Sequence, residues 1–249
     1  MNLDGERLVT NIPWLEHMIV AELAYLNFAK EYFQQKLVLD NGCGTGHGAD
    51  FVAGCGARRV IGIDVSYSAV HQAKAEYSRP NLSFLVQNSL SLAFPSASFD
   101  FVSSIEVIEH LADTEVYLSE IHRVLKSGGW AYLSTPNKAV SSPNMDRPSW
   151  PFHVKEFYLP EFRSVLTGIF DQVQIWGVRI PVYESHPIRK LTKSPLSYVK
   201  HILPPKLRLG IAAFLRYKIK PALEMEDVVF SETDIETADR FVALCHKES

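Results

Sequence analysis

Val38-Leu39-Asp40-Asn41-Gly42-Cys43-Gly44-Thr45-Gly46 is the stretch on which the reading of this chain turns. Short apolar run, acid, then three glycines at alternate positions is the signature of a buried strand that ends in a sharp turn. Glycine lets the backbone turn where other residues are strained, and it lets a ligand approach the main chain. Such a loop after a first strand can cradle a dinucleotide or an adenosyl group. Gly44-x-Gly46-x-x-Ala49 even fits the loose dinucleotide fingerprint. A tight strand-to-helix turn with no ligand is the plainer alternative.

Outward from the loop, strand and helix alternate. The pattern predicts helices over residues 14–35 and from Gly48 to Gly54, a strand Val60–Ile63 closed by Asp64, and a helix over 67–77. Strands follow at Leu82–Val86 and Phe101–Ile105, then an amphipathic helix Glu115–Leu125. The turn Lys126-Ser127-Gly128-Gly129 should lead into a strand Trp130–Ser134, with later strands at Val173–Val178 and Phe241–Cys245. This alternation predicts an α/β fold with a mainly parallel sheet covered on both faces. Ligands in such sheets bind beyond the carboxyl ends of the strands, where strand order reverses. Asp64 lies at such an end, about 20 residues past the glycine loop, where a carboxylate can accept from ribose hydroxyls. By itself an acid at a strand end is more often a helix cap.

Composition is that of an ordinary soluble protein. Hydrophobic residues make up 47% and charged residues 21%, and the net charge of −3 exerts no global pull on nucleic acid. The three cysteines, Cys43, Cys55 and Cys245, match neither a zinc pattern nor a disulfide framework and read as buried thiols. Met1 to Asp4 has no basic start followed by an apolar run, and no apolar stretch reaches the roughly 20 residues of a membrane span. A cytoplasmic protein is the expectation.

The third strand ends in Gln87-Asn88-Ser89-Leu90, followed by Leu92-Ala93-Phe94-Pro95 and Ser98-Phe99-Asp100-Phe101-Val102. Further on stand Glu106-Val107-Ile108-Glu109-His110-Leu111, Arg123-Val124-Leu125-Lys126-Ser127-Gly128-Gly129 and Ser134-Thr135-Pro136-Asn137. In this order the motifs resemble the class I S-adenosylmethionine-dependent methyltransferases, over roughly residues 37–178. A dehydrogenase explains none of the motifs after Asp64. The resemblance implies a Rossmann-like, doubly wound sheet of seven strands in one domain. Residues 1–35 would be N-terminal helices, 36–178 the cofactor-binding core, 179–235 a cap or helical insertion, and 236–249 the last strand.

It also implies S-adenosylmethionine as cofactor, held by Asp40, Gly42, Gly44, Gly46, Asp64, Val65, Asn88, Ser89 and Ile105. Asp40 would orient the methionine end, with Ile105 and Glu106 lining the same pocket. The family has an acid where Asn88 stands; an Asn carbonyl still accepts from an adenine amine, without the charge. Gly5-Glu6-Arg7 and Pro151-Phe152-His153-Val154-Lys155-Glu156-Phe157 resemble bacterial methyltransferases of sugars, cell-surface glycans or lipids. The acceptor expected is therefore a small molecule, a glycan or a lipid-linked hydroxyl compound. Runners-up are RNA 2′-O-methylation and a cofactor-binding protein without catalysis.

Methyl transfer from a sulfonium requires alignment and a proton acceptor. His153, Glu106 and Glu109 are the catalytic candidates. If a helical turn begins at Glu106, then Glu106, Glu109 and His110 share one face and, with His153, could ligate magnesium or manganese. Ubiquinone-pathway and small-RNA methyltransferases have a similar Glu-x-x-Glu-His motif associated with a metal. The plainer reading is a pocket-lining Glu106 and a local Glu109–His110 pair. Between Glu184 and Glu224 there is no acid, and Arg189, Lys190, Lys193, Lys200, Lys206, Arg208, Arg216, Lys218 and Lys220 alternate with apolar residues. Segment 189–220 thus suits a peripheral contact with the inner membrane face, or a lid whose lysines face water. With few aromatics to stack on bases, nucleic acid is the less favoured partner.

Overall fold

The computed structural model describes residues 13–180 and 223–248. The basic segment 189–220 and Gly5-Glu6-Arg7 lie outside the described residues.

Helices α1 (Pro13–Phe28) and α2 (Lys30–Phe33) precede strand β1 (Leu37–Asn41). Then come α3 (His47–Gly54), β2 (Arg59–Asp64), α4 (Tyr67–Glu76), β3 (Leu82–Val86) and β4 (Phe99–Ser104). A 3₁₀ turn at Ile108–His110 leads to α5 (Thr114–Val124) and β5 (Leu125–Pro136). The chain continues through α6 (Lys138–Ser141), α7 (Leu159–Thr167) and β6 (Gln172–Arg179), and ends with β7 (Val229–Ser231) and β8 (Arg240–His246).

The strands form one sheet in the order β3-β2-β1-β4-β5-β8-β6-β7. Strands β1 to β5 pair in parallel, while β8 runs antiparallel between β5 and β6. The sheet has eight strands, one more than expected. The extra strand is β7, three residues paired antiparallel to β6 within the stretch assigned to the insertion. Strand order reverses between β1 and β4, so the ligand crevice of such a sheet opens there.

Side chains alternate across the sheet as a strand requires. Val38 and Val60 face a core shared with α1, α3 and α4, whereas Leu39 and Ile63 face one shared with α5 and α7. Helix α5 shows why the local sequence folds as it does. Asp113 caps it by accepting from the Val116 amide at 3.0 Å. Tyr117, Leu118, Ile121 and Val124 then fall on one face and are fully buried. Each apolar side chain buried in this way contributes about 1.5–3 kcal/mol.

Strand β5 differs from the sequence reading. Residues 126–129, expected as a turn, lie inside the strand as an irregularity: Phe99 pairs with Leu125, and the next partner, Phe101, pairs with Trp130. Gly128, at φ +74°, permits the detour. Its amide donates to the Lys247 carbonyl, and the Lys247 amide donates to the Gly129 carbonyl, so the excursion is itself tied to the end of β8.

Candidate active site

The glycine loop is shaped by two close approaches. A Cβ on Gly42 would meet Val107 at 2.4 Å, and one on Gly46 would meet Ala73 and Phe84 at 2.8 Å. Both have positive φ, +87° and +93°. Gly44 differs: at φ +52° a Cβ there would meet nothing within 4 Å. Its backbone thus offers the open face by which a ligand can reach the main chain. The loop is fastened to β2. The Gly42 and Cys43 amides both donate to the Ile63 carbonyl at 2.8 Å, and the Gly44 amide donates to Asp64 Oδ2 at 3.0 Å.

Asp64 is buried, and its Oδ1 accepts from the Ser66 amide at 2.8 Å. It is therefore a clamp between the glycine loop and β2; the cap of α4 is Ser66, whose Oγ accepts from the Ala69 amide. Val65 beside it is 53% exposed, an apolar surface facing outward. Asn88 is exposed, and its Oδ1 accepts from the Leu90 amide at 2.9 Å, which closes the turn after β3. The Ser89 hydroxyl donates to Asn41 Oδ1 at 2.7 Å. Ile105, half-buried, packs against the α1-side core.

Asp40, 5% exposed, accepts from the Ser103 hydroxyl at 2.9 Å. Burial pushes its carboxyl up to about 6, against the opposing pull of the Ser103 hydrogen bond and of His47. His47 opens α3, and its Nε2 lies 2.6 Å from Glu22 Oε2 on α1. Burial pulls the His47 imidazole down, but the bond and charge of Glu22 outweigh it and leave the ring above its ordinary value. Sequence reasoning missed Glu22 and His47, whose partnership joins elements 25 residues apart.

The two carboxylates of Glu106-x-x-Glu109 sit in opposite surroundings. The turn starts at Ile108 and not at Glu106, so the expected shared face does not form. Glu106 has φ +55°. Its amide donates to Ser134 Oγ, and that hydroxyl donates back to Glu106 Oε1, both at 2.9 Å. Arg240 Nε donates to Oε2 at 3.0 Å. Glu109 is fully buried; Oε2 accepts from the Thr135 hydroxyl at 3.2 Å, and Oε1 has no hydrogen-bond partner among the described residues. Burial first, and the nearby Glu106 second, raise the Glu109 carboxyl well above the usual range.

The loop carrying His153 is pinned to this turn. The Val154 and Lys155 amides donate to the Glu109 carbonyl at 2.8 and 3.1 Å. His110 Nδ1 lies 3.1 Å from the Phe152 carbonyl; an oxygen of that kind only accepts, so Nδ1 carries the proton. His153 Nδ1 lies 2.7 Å from Glu156 Oε1. Glu156 is buried, yet bonds from Ser141, Ser142 and His153 overcome the upward effect of burial and hold its carboxyl below the usual range. One ligand-type atom from each of Glu109, His110 and His153 falls within 4.8 Å of the others. The structure thus brings together three of the four expected ligands and ties Glu106 to Arg240 instead. Neither Glu156 nor Arg240 was read as functional from sequence.

The model of a methyltransferase domain family matches residues 39–133. A probable S-adenosylmethionine-dependent methyltransferase of Mycolicibacterium smegmatis is 43% identical over 142 residues, covering 57% of this chain and 54% of that protein. A ubiquinone biosynthesis O-methyltransferase of Bartonella quintana is 32% identical over 108 residues, 43% of each protein. The chain spans about half the length of these curated relatives. In fold it is similar to a solved S-adenosylmethionine-dependent methyltransferase of Thermotoga maritima, described as a possible histamine N-methyltransferase. That match has a TM-score of 0.61 at 18% identity and covers 94% of this chain and 92% of the other. The glycine loop, the order of the strands and these matches lead to one assignment: the chain belongs to the class I S-adenosylmethionine-dependent methyltransferases.

Proposed function

We propose that this chain transfers a methyl group from S-adenosylmethionine to a hydroxyl of a small sugar, glycan-precursor or lipid-linked acceptor. The observation that carries the hydroxyl reading is the His153–Glu156 pair beside the carboxyl edge of the sheet.

The residues present fit the cofactor. Gly44 leaves main chain open to an adenosyl group, Asp40 offers a buried carboxylate to an ammonium, and Asp64 sits where ribose hydroxyls are read. Val65, Asn88 and Ser89 would bound the adenine end, and Ile105 would line the methionine end beside Asp40. S-adenosylmethionine supplies an activated methyl on a positive sulfur. What remains for the chain is to align the acceptor and take its proton. With Nδ1 turned to Glu156, His153 has Nε2 as the nitrogen that can accept. Glu156 would then stabilise the imidazolium that forms, as an acid behind a histidine does.

A second reading is favoured by the partnerless Oε1 of Glu109. A buried polar atom of this kind calls for a partner. Glu109, His110 and His153 could hold a divalent ion there, with Glu156 orienting His153 from behind. Such an ion would lower the pKa of an acceptor hydroxyl. Two imidazoles and one carboxylate suit manganese better than magnesium. The two readings exclude each other at His153, because an Nε2 bound to metal cannot accept a proton.

Methyl transfer to a panel of hydroxylated acceptors tests both. On the first reading His153→Ala lowers single-turnover transfer by about 10²–10⁴-fold, EDTA has no effect, and the cofactor dissociation constant stays within about twofold. Loss of transfer in EDTA, restored by manganese, would replace the first reading with the second. Undiminished transfer by His153→Ala would sink both.

A further inference from the structure

Glu106 is a non-glycine residue in the left-handed region, at φ +55°, where side chains are uncommon and must be held by their surroundings. Three bonds hold it. Two are made with buried Ser134, whose hydroxyl accepts from the Glu106 amide and donates to Oε1. The third comes from Arg240 Nε to Oε2. Arg240 opens β8 and is paired with Pro136 of β5, so it stands at the same edge of the sheet as the ends of β1 and β4. Its Nη1 also donates to the Asp239 carbonyl at 3.2 Å, which fixes the direction of the guanidinium.

The next residue shows what this conformation accomplishes. Val107 packs so closely on Gly42 that a single added Cβ would overlap it at 2.4 Å. Segment 105–107 is therefore one wall of the crevice between β1 and β4, and the glycine loop is the other. A more relaxed backbone at Glu106 would turn Val107 away from Gly42.

We propose that Arg240 is a positioning residue for the cofactor pocket: by clamping Glu106 it holds segment 105–107 closed against the glycine loop. This rests on the reading that S-adenosylmethionine lies in that crevice. It also gives Glu106 a task in holding the pocket, with one bond on each carboxylate oxygen. The action runs through the backbone of residue 106, not through contact between Arg240 and the cofactor.

Glycine adopts left-handed conformations without strain, so Glu106→Gly should make the clamp unnecessary. The probe is S-adenosylhomocysteine, whose neutral sulfur keeps the lost charges from acting on a sulfonium. Its dissociation constant is measured by calorimetry on the full chain. Arg240→Gln should weaken binding by about tenfold, Arg240→Lys by less, and the double variant Glu106→Gly/Arg240→Gln should return to within about twofold of wild type. A merely structural Arg240 would lower thermal stability in both backgrounds without this rescue. Unchanged affinity in Arg240→Gln, or no rescue by glycine, overturns the proposal while leaving the cofactor site standing. A wild-type chain that binds neither S-adenosylhomocysteine nor S-adenosylmethionine overturns both. Should Arg240→Gln not fold, Arg240→Lys with and without Glu106→Gly makes the same comparison.

Discussion

Replacing Asp40 with asparagine should stabilise the free protein at neutral and alkaline pH while weakening its hold on the cofactor. Asp40 is 5% exposed, and burial lifts its carboxyl from the ordinary 3.8 to about 6. Between those values the folded state binds more protons than the unfolded state. Stability contributed by the neutral carboxyl is therefore full at low pH and is lost as pH rises toward and through 6. The difference corresponds to about 3 kcal/mol. Asparagine never ionises, and its carbonyl can still accept from the Ser103 hydroxyl, so Asp40→Asn avoids that loss. The two proteins should melt together only below about pH 3 and separate by roughly 6–12 °C at about pH 8, with the variant higher. Calorimetric melts without cofactor across this range decide it. Groups that do not sense the Asp40 charge titrate alike in both proteins and cancel in the difference; His47, which the Asp40 charge helps to raise, loses that support in the variant and adds a smaller pH-dependent contribution. A gap independent of pH, or a variant less stable at about pH 8, would refute the reasoning and mean that Asp40 meets more water than the structure shows. Calorimetry should find S-adenosylmethionine bound more weakly by the variant, a loss of function exchanged for stability.

Glycine substitutions separate architecture from ligand approach. Gly46→Ala places a methyl 2.8 Å from Ala73 and Phe84 at φ +93°, and should lower unfolding stability by at least about 2 kcal/mol in denaturant titrations. Gly44→Ala meets open space, so its stability loss should stay near about 1 kcal/mol while cofactor affinity falls more than about tenfold. The reverse ranking in either assay would show that the ligand approaches elsewhere. Asp64→Ala should weaken S-adenosylmethionine by about 1–3 kcal/mol, through loss of a ribose acceptor and release of the Gly44 amide. An unchanged constant by calorimetry would leave Asp64 as a loop clamp only.

What could be read from sequence was local. Short apolar runs bounded by polar, proline or glycine residues placed β1 to β4 and β6 within a residue or two, because each strand carries its own pattern. The long β5 was not readable, because its continuity depends on backbone bonds between Gly128–Gly129 and Lys247, supplied from the end of the chain. The three-residue β7 is too short for any period and exists only by pairing with β6. The site divides in the same way. The glycines, Asp40 and Asp64 belong to motifs with fixed spacing. Glu22, Glu156 and Arg240 gain their meaning from partners that only the fold brings close; Arg240 meets a carboxylate 134 residues away.

Glu106 and Glu109 show why a motif does not determine roles. Identical side chains three residues apart were read as equivalent bases or ligands, on the premise of one helical turn. The turn begins at Ile108, so the two diverge. Glu106 is directed to the Ser134 hydroxyl and the Arg240 guanidinium. Glu109 is directed into the interior with one hydroxyl and no cation of its own, and there burial favours the neutral acid. A pair of carboxyls whose surroundings separate them in this way is suited to two tasks and not to one shared task. On the proposed clamp, Glu106 serves the shape of the pocket through its bonds to Ser134 and Arg240. Among the described residues Glu109 retains an oxygen without a hydrogen-bond partner beside two imidazoles, which makes it, with the histidines, the better-placed candidate for cation or proton chemistry at this edge of the sheet.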